Sequence, residues 1–424
     1  MRLIPAILFF FSLAFVSAQD TLRVMHYNLL YYGENTGFCN MTNNNPDQKD
    51  AFMRSIVGYL RPDILTVNEI SHQTTYHFRM LNQVMNQTGY ALYGMSGCPN
   101  LAGSGIVNMM YYNTEKLALH SQQVAQSEVR DIDVYRMYHL NEGLASGDTI
   151  FLNCIVAHLK AGNSSSDALS RRVMTENALT YLEDNGRHGN YLFMGDFNVY
   201  KSSEQAFQRM IANSHPVFGF YDPVNAIGDW HENWSYSHVH TQSTHSSTGG
   251  CFSGGGMDDR FDFILINKTL YQQAEKIYYL EGSYHAPGQD GKRLNGSLLD
   301  PPNISLPAYV LDALYGMSDH LPVVMDLVVD ETLGTGEEDI LPGMAVSYNN
   351  PAKEVLKLRI DPDNPGQAEL SLLDSTGRKV YRKNTTLHRN NLITIPLGGL
   401  PPGLYFLLIQ QEKAFYSGKV LITR

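Results

Sequence analysis

Several apolar stretches of this sequence stop abruptly on residues that can bind a cation or move a proton. "VMHYN" ends at Asn28, "DILTVNE" at Glu69 and "FLNCIVAH" at His158. "YLFMGDFN" ends at Asp196 and Asn198, and the pair Asp319-His320 stands just before "LPVVMDLVV". In an α/β sheet, strand ends and the loops beyond them form the rim where ligands bind. A single polar strand end is usually a turn residue. Carboxylates, carboxamides and imidazoles arriving together from separated segments point instead to one metal-assisted hydrolytic centre. Hard oxygen donors of this kind suit Mg²⁺, which binds through one or two carboxylates, waters and a phosphate oxygen.

The elements that must hold these ends alternate between two periods. The pattern predicts a strand over 22–32 and, from Asp47, a helix whose Phe52, Ile56, Tyr59 and Leu60 share one face until Pro62 stops it. A strand at "DILTV", a helix near 76–85, strands at "GIVNMMYYN" and "TIFLNCIVA", a helix over 166–184 and the strand "YLFM" follow. This interleaving implies an α/β domain over 19–330. "ETLGTGEED" is polar and contains glycine, and it reads as a linker over 331–341. Beyond it, "VLKLRI", "AELSLLD", "KVYRKN", "LITIPL", "GLYFLLIQ" and "GKVLITR" predict a small all-β sandwich over 342–424.

The composition, 43% hydrophobic and 17% charged over 424 residues, provides a large core and excludes a disordered polymer. Residues 1–18 carry Arg2, an apolar "LIPAILFFFSLAF" too short to span a bilayer, and Val16-Ser17-Ala18. That is the pattern of a secretory signal peptide cleaved near Ala18-Gln19. No later segment is apolar for the ~18 residues that a transmembrane helix needs. A formal net charge of −11 argues against tight, non-specific nucleic-acid binding through counterion release. It leaves room for an enzyme that meets a phosphodiester through a bound cation, which supplies its own positive charge. The four cysteines include no C-x-x-C pair; Cys39 and Cys98, both in loop-like sequence, are the expected disulfide, with Cys154 a buried free thiol.

Six motifs, "YNLL", "DILTVNEI", "AHLKAG", "GDFN", "RFDFILI" and "SDHLPV", occur in the order found in the endonuclease/exonuclease/phosphatase family, which residues 20–330 resemble. The resemblance implies two packed β-sheets flanked by helices, a four-layer α/β/β/α sandwich. It implies Glu69 as the main ligand of Mg²⁺ (Mn²⁺ or Ca²⁺ as substitutes), with Asn28 and Asp319 beside it. Asp196 then activates water and Asn198 positions it. His158 and His320 donate hydrogen bonds to phosphoryl oxygens, and Asp262 orients His320. Lys160 either neutralises a phosphate or shapes a turn with Gly162. In the deoxyribonuclease branch the first histidine has an acidic partner, and "YALYGMSG" offers none, so the orientation of His158 stays open. Met194 and Asp258 stand where the inositol-phosphatase branch has tryptophan and cysteine.

The leading expectation is therefore a secreted nuclease acting on DNA or RNA. A sphingomyelinase-like lipid phosphodiesterase, a phosphomonoesterase, and a catalytically dead surface adhesin are the alternatives. "NNPAKEVLKLRI", "LLDSTGRKVY", "LPPGLYFLLI" and "GKVLITR" resemble the C-terminal sorting domain of type IX secretion, although Asn349-Asn350-Pro351 replaces the usual Pro-Asn-Pro. This second resemblance implies a partner in that export machinery and a protein released or held at the outer-membrane surface. The Ser/Thr/His/Gly-rich stretch 229–256, with His231, His238, His240 and His245, reads as a substrate-facing loop. Arg171 and Arg172 read as solvated.

Overall fold

A computed structural model describes residues 20–423 except 142–143, 145–148, 274, 331–343, 363–364, 375–377, 389–390 and 412–413. The expected signal peptide and linker lie outside the described residues. Chain order begins β1 (Asp20–Tyr32), α1 (Pro46–Leu60), β2 (Ile64–Ser71), α2 (Thr74–Arg79), β3 (Tyr93–Met95) and β4 (Ile106–Asn113). It continues β5 (Leu117–Gln126), β6 (Ile132–His139), β7 (Phe151–His158), α3 (Ser165–Asn185), β8 (Asn190–Asp196) and α4 (Gln205–Ile211). Then come β9 (Phe220–Tyr221), β10 (Asp262–Asn267), α5 (Lys268–Tyr271), β11 (Ile277–Tyr279), α6 (Ala308–Met317) and β12 (Val323–Val329).

Local chemistry sets the helix limits. Asn45 caps α1 by accepting the Asp47 N–H, Pro46 fills the first turn, and Arg61 closes it at φ 52°. A capping box of Ser164 and Asp167 starts α3. The helix expected over 76–85 is shorter: α2 stops at Arg79, and the chain continues through a π turn (Met80–Val84) and a 3₁₀ turn (Met85–Gln87).

Two six-stranded mixed sheets result, ordered β11-β12-β1-β2-β4-β3 and β5-β6-β7-β8-β10-β9. The inner strands β1 and β2 face β7, β8 and β10. This explains why the inner strands read as unbroken apolar runs: both faces are covered. On β8, Leu192 and Met194 join the core between the sheets, whereas Tyr191 and Phe193 join a second core under α3 and α4. On β10, Ile264 and Ile266 point inward and Phe263 and Leu265 outward. Helices α1 and α6 pack together over the other outer face.

The C-terminal strands are β13 (Met344–Tyr348), β14 (Val355–Pro362), β15 (Gly366–Leu373), β16 (Lys379–Leu387), β17 (Asn391–Pro396), β18 (Gly403–Gln411) and β19 (Ala414–Ile422). They form sheets β13-β14-β17 and β16-β15-β18-β19 around a core of their own that includes Leu356, Leu370, Leu407 and Tyr416. The sequence pattern had not singled out β13.

Two expectations need correction. Cys39 pairs with Cys251, 212 residues away, and Cys98 is free; Cys154 is a buried free thiol as expected. Loop character alone could not choose between partners, because the fold decides which loops meet. Arg171 is buried rather than solvated. It donates to Glu204 at 2.7 Å and 3.0 Å and to the Lys160 and Gly162 carbonyls at 2.9 and 2.7 Å, so it braces the loop after β7. Arg172 is partly exposed and pairs with Glu176.

One buried pair is open to test. The Arg260 and Asp222 side chains, each 1% exposed, share two hydrogen bonds of 2.8 and 2.7 Å. Arg260→Met leaves a buried carboxylate without its partner, and we expect a loss of about 3–5 kcal/mol in denaturant unfolding. Adding Asp222→Leu should recover much of it; a single variant as stable as the wild type would refute the assignment.

Candidate active site

Pleat parity carries the chemistry to one spot. Asp196 follows Leu192 and Met194 on the inward face of β8, and its ladder partners are His158 on β7 and Asp262 on β10. From the facing sheet, Thr66 on β2 reaches the Met194 sulfur at 2.9 Å, and Asn68 Oδ1 accepts the Asp196 N–H at 2.9 Å. His26 and Asn28 lie alongside on β1.

Glu69 ought to point away, since Asn68 points in. A bulge turns it: the β2–β4 register shifts between Val67 and Ile70, and Glu69 adopts φ 60°. Left-handed backbone at a non-glycine residue costs about 1–2 kcal/mol. β1 is bent likewise at Leu30 (φ 47°) and Tyr31 (φ 51°). Asn44 Nδ2 donates to both of their carbonyls (3.1 and 2.9 Å). The buried Lys49 ammonium donates to the Leu29 and Leu30 carbonyls (2.7 and 2.6 Å), its pKa pushed down to about 7 by burial. The bend aims two N–H groups: Leu30 at Asn28 Oδ1 (3.0 Å) and Tyr31 at Glu69 Oε2 (3.1 Å).

Asn28 Nδ2 donates to Glu69 Oε1 at 3.1 Å and to Asp196 Oδ2 at 2.9 Å. His158 Nε2 lies 3.7 Å from Glu69 Oε1 and 3.6 Å from Asp196 Oδ2, so that candidate ligand atoms of these three residues fall within 4.8 Å of one another. Asn198 donates its N–H to Asp196 Oδ1 (3.0 Å) and its amide to the Leu159 carbonyl (3.3 Å). His320 Nδ1 sits 2.8 Å from Asp262 Oδ2, and its Nε2 is 3.8 Å from Asp196 Oδ2. Asp319 Oδ2 accepts the Ser253 N–H at 3.0 Å, while its Oδ1 is buried without a partner in the protein. An oxygen-rich donor set with an unspent buried carboxylate oxygen fits a hard divalent cation. Lys160 stands apart: its ammonium bonds Asp167 of α3 at 2.9 Å, and Gly162, at φ 107°, shapes the turn.

Crowding of acids governs the electrostatics. Burial pushes Asp196 up to about 7, against the pull of His320. Burial also raises Glu69, opposed by His320, Arg130 and the Asn28 amide. His158 is driven well below the usual imidazole value by burial, then by Arg130 and His320. For His320 burial opposes the charge, yet Asp262, Asp196 and Asp319 outweigh it and hold the ring well above its ordinary value. The Gln242 amide nitrogen is placed 2.8 Å from His320 Nε2; a charged ring donates from both nitrogens, so the amide must be turned to present its oxygen there.

Arg130, Asn68, Gln242 and Ser253 escaped sequence reasoning. Arg130 lies in the turn between the edge strand β5 and its neighbour β6, donates to the Leu159 carbonyl (3.2 Å), and acts on Glu69 and His158. The His-rich stretch lies beside the site through Gln242 and Ser253, and two of its histidines have structural partners. His240 is buried between the Trp230 and Met257 carbonyls (2.7 and 3.2 Å), and His245 stacks between Phe252 and Tyr315. His231 pairs with Asp259 at 2.8 Å and, with Asp258, forms a second group of candidate ligand atoms.

Residues 25–320 match the Endonuclease/Exonuclease/phosphatase family, and residues 347–423 match the Secretion system C-terminal sorting domain. No curated protein matches the chain in sequence. Among solved structures, an endonuclease/exonuclease/phosphatase family protein from Bacteroides thetaiotaomicron is 14% identical, covering 74% of this chain and 96% of its own, at a TM-score of 0.45. Another, from Beutenbergia cavernae DSM 12333, is 14% identical over 94% of this chain and 99% of its own, at 0.42. The human Nocturnin catalytic domain with bound sulfate is 13% identical over 73% and 97%, at 0.44.

The His320–Asp262 pair predicts a pH signature. A folded-state pKa raised above the unfolded ~6.5 means that the pair stabilises the fold fully below that value and stops doing so as pH rises through the folded pKa. Asp262→Asn should lower the His320 pKa in NMR titration. Its stability deficit should be largest at mildly acidic pH and shrink in alkali; a deficit that grows with pH would contradict the assignment.

Proposed function

As the chain belongs to the Endonuclease/Exonuclease/phosphatase family, we propose that it is an exported phosphodiesterase that cuts DNA or RNA by in-line attack of water. The observation that carries this reading is the buried cluster of Glu69, His158 and Asp196, joined by Asn28 and faced by a charged His320. Family members hydrolyse phosphoester bonds and generally depend on a divalent metal, and the sorting domain supports secretion or surface attachment. We read residues 19–330 as the catalytic unit and 342–424 as the export unit.

Glu69, Asn28 and Asp319 are the residues that would hold the cation, Mg²⁺ in the first instance. Bound there, it stabilises the charge that develops on the phosphoryl oxygens. Asp196, with a pKa near neutrality, takes the proton of the attacking water. Asn198, which clamps Asp196 through its N–H, holds that water in line. On binding, a non-bridging oxygen takes the place of the Gln242 amide as acceptor of the His320 Nε2–H, and neutral His158 donates to another oxygen; both rings are held away from bulk water. Arg130 at the rim attracts the phosphate on its way in.

A small phosphomonoester is the second reading, favoured by one feature. Besides His320, one arginine, Arg130, acts on both Glu69 and His158, on a chain of net charge −11, whereas gripping a nucleic-acid backbone draws on several cations.

A panel of supercoiled plasmid, single-stranded DNA, RNA, sphingomyelin, inositol phosphates and p-nitrophenyl phosphate separates the readings. We expect plasmid nicking that needs Mg²⁺, stops with EDTA, and falls about 10²–10⁴-fold in Asp196→Ala. Arg130→Ala should raise KM more than it lowers kcat. Turnover of monoesters alone would move the protein to the second reading. Silence across the panel from a folded chain would leave only the scaffold.

A further inference from the structure

The Cys39–Cys251 disulfide joins two loops at the catalytic rim that are distant in sequence. Each cysteine begins a path of hydrogen bonds that ends on a candidate cation ligand. From Cys39, Thr36 accepts the cysteine N–H (2.9 Å) and Asn43 Nδ2 holds the Phe38 carbonyl (2.7 Å). The Asn44 N–H bonds Asn40 (2.8 Å), and the Asn44 side chain then grips the Leu30 and Tyr31 carbonyls. Those two residues donate to Asn28 and Glu69. From Cys251, the flanking Gly249 and Phe252 pair through their backbones. Next to Phe252, the Ser253 carbonyl accepts from Ser243 Oγ (2.7 Å), and the Ser253 N–H donates to Asp319.

Hydrogen bonds rather than apolar packing hold the loop around Cys39. Phe38 and Met41 are 81% and 57% exposed, yet Cys39 between them is 1% exposed. The covalent bond stands where a packed core would otherwise be needed, and it closes the largest kind of loop, the kind whose freedom in the open chain is greatest.

We infer that this disulfide is a positioning device for the cation: it presets the oxygen donors Asn28, Glu69 and Asp319, so that the oxidised chain binds a divalent ion tightly and the reduced chain binds it weakly. The inference rests on the metal-dependent reading above. Its consequence is a site that stays loose in a reducing compartment and assembles where disulfides persist. Closing the bond removes two electrons and two protons from the thiols, which a disulfide-donating oxidant of the export compartment takes up.

The test is Mn²⁺ binding to the full-length chain, read from the paramagnetic resonance signal of the free ion. Three proteins are compared: oxidised wild type, Cys39→Ser/Cys251→Ser, and Asn44→Ala with its disulfide intact. We expect the double variant and Asn44→Ala to bind about 10–100-fold more weakly, the usual effect of removing support behind a ligand. Leu179→Ala, a fully buried change in α3 far from the rim, should lose stability and keep its affinity. A folded double variant that binds as the wild type does overturns the inference. So does an equal loss in Leu179→Ala, which would make the effect one of stability alone. If the double variant does not fold, wild-type affinity in Asn44→Ala overturns it. Absence of binding by the oxidised wild type, or binding untouched by Glu69→Gln, brings down the metal reading as well.

Discussion

Four carboxylates, those of Glu69, Asp196, Asp262 and Asp319, are brought to one end of the sheet sandwich and taken out of water. Charges so placed repel, and each pays a desolvation penalty unless something positive shares the space. His320 answers most of this demand, which is why its proton is held so firmly, and Arg130 answers from the rim. Asn28 distributes the remainder by giving one amide proton to each of two carboxylates. A divalent cation completes the balance in the proposed function. In that proposal the same imbalance is what draws a hard ion to the site and, with it, a phosphate.

Much of this was legible in the sequence because strands covered on both faces leave a plain signature: apolar at every position until the chain reaches the rim. The change from Met194 to Asp196, or from Ala157 to His158, marks the spot where the sandwich ends. Period alone also placed α1 and α3 well, since their caps are side chains adjacent in sequence. Glu69 illustrates the limit. Its parity on a regular strand is wrong for the site, and only the bulge reconciles the two; nothing in "TVNEIS" announces left-handed backbone. Arg130 and Gln242 act from loops whose partners are far away in sequence, so no local pattern could have found them. Arg171 failed for a related reason, because a charged residue early in a helix reads as solvated until Glu204 and two loop carbonyls close over it.

The His-rich stretch repays comparison with the site itself. Three of its four imidazoles end in different surroundings: His240 between carbonyls, His245 between aromatic rings, His231 on an aspartate. Proximity along the chain says little once a segment folds back on itself. From that stretch Gln242 and Ser253 reach the candidate site, the first facing His320 and the second donating to Asp319.

The pairing of β1 with β12 has a consequence of another kind. Val24 lies opposite Met325, and β2 then adds to the other edge of β1. The first strand made is thus laid between neighbours, one of which is synthesised some three hundred residues later. Contacts so remote form slowly, because the chain between them must first be brought to order. The sheet carrying Asn28 and Glu69 cannot close until β12 has been made, so both residues wait on the last strand of that sheet to reach their final places.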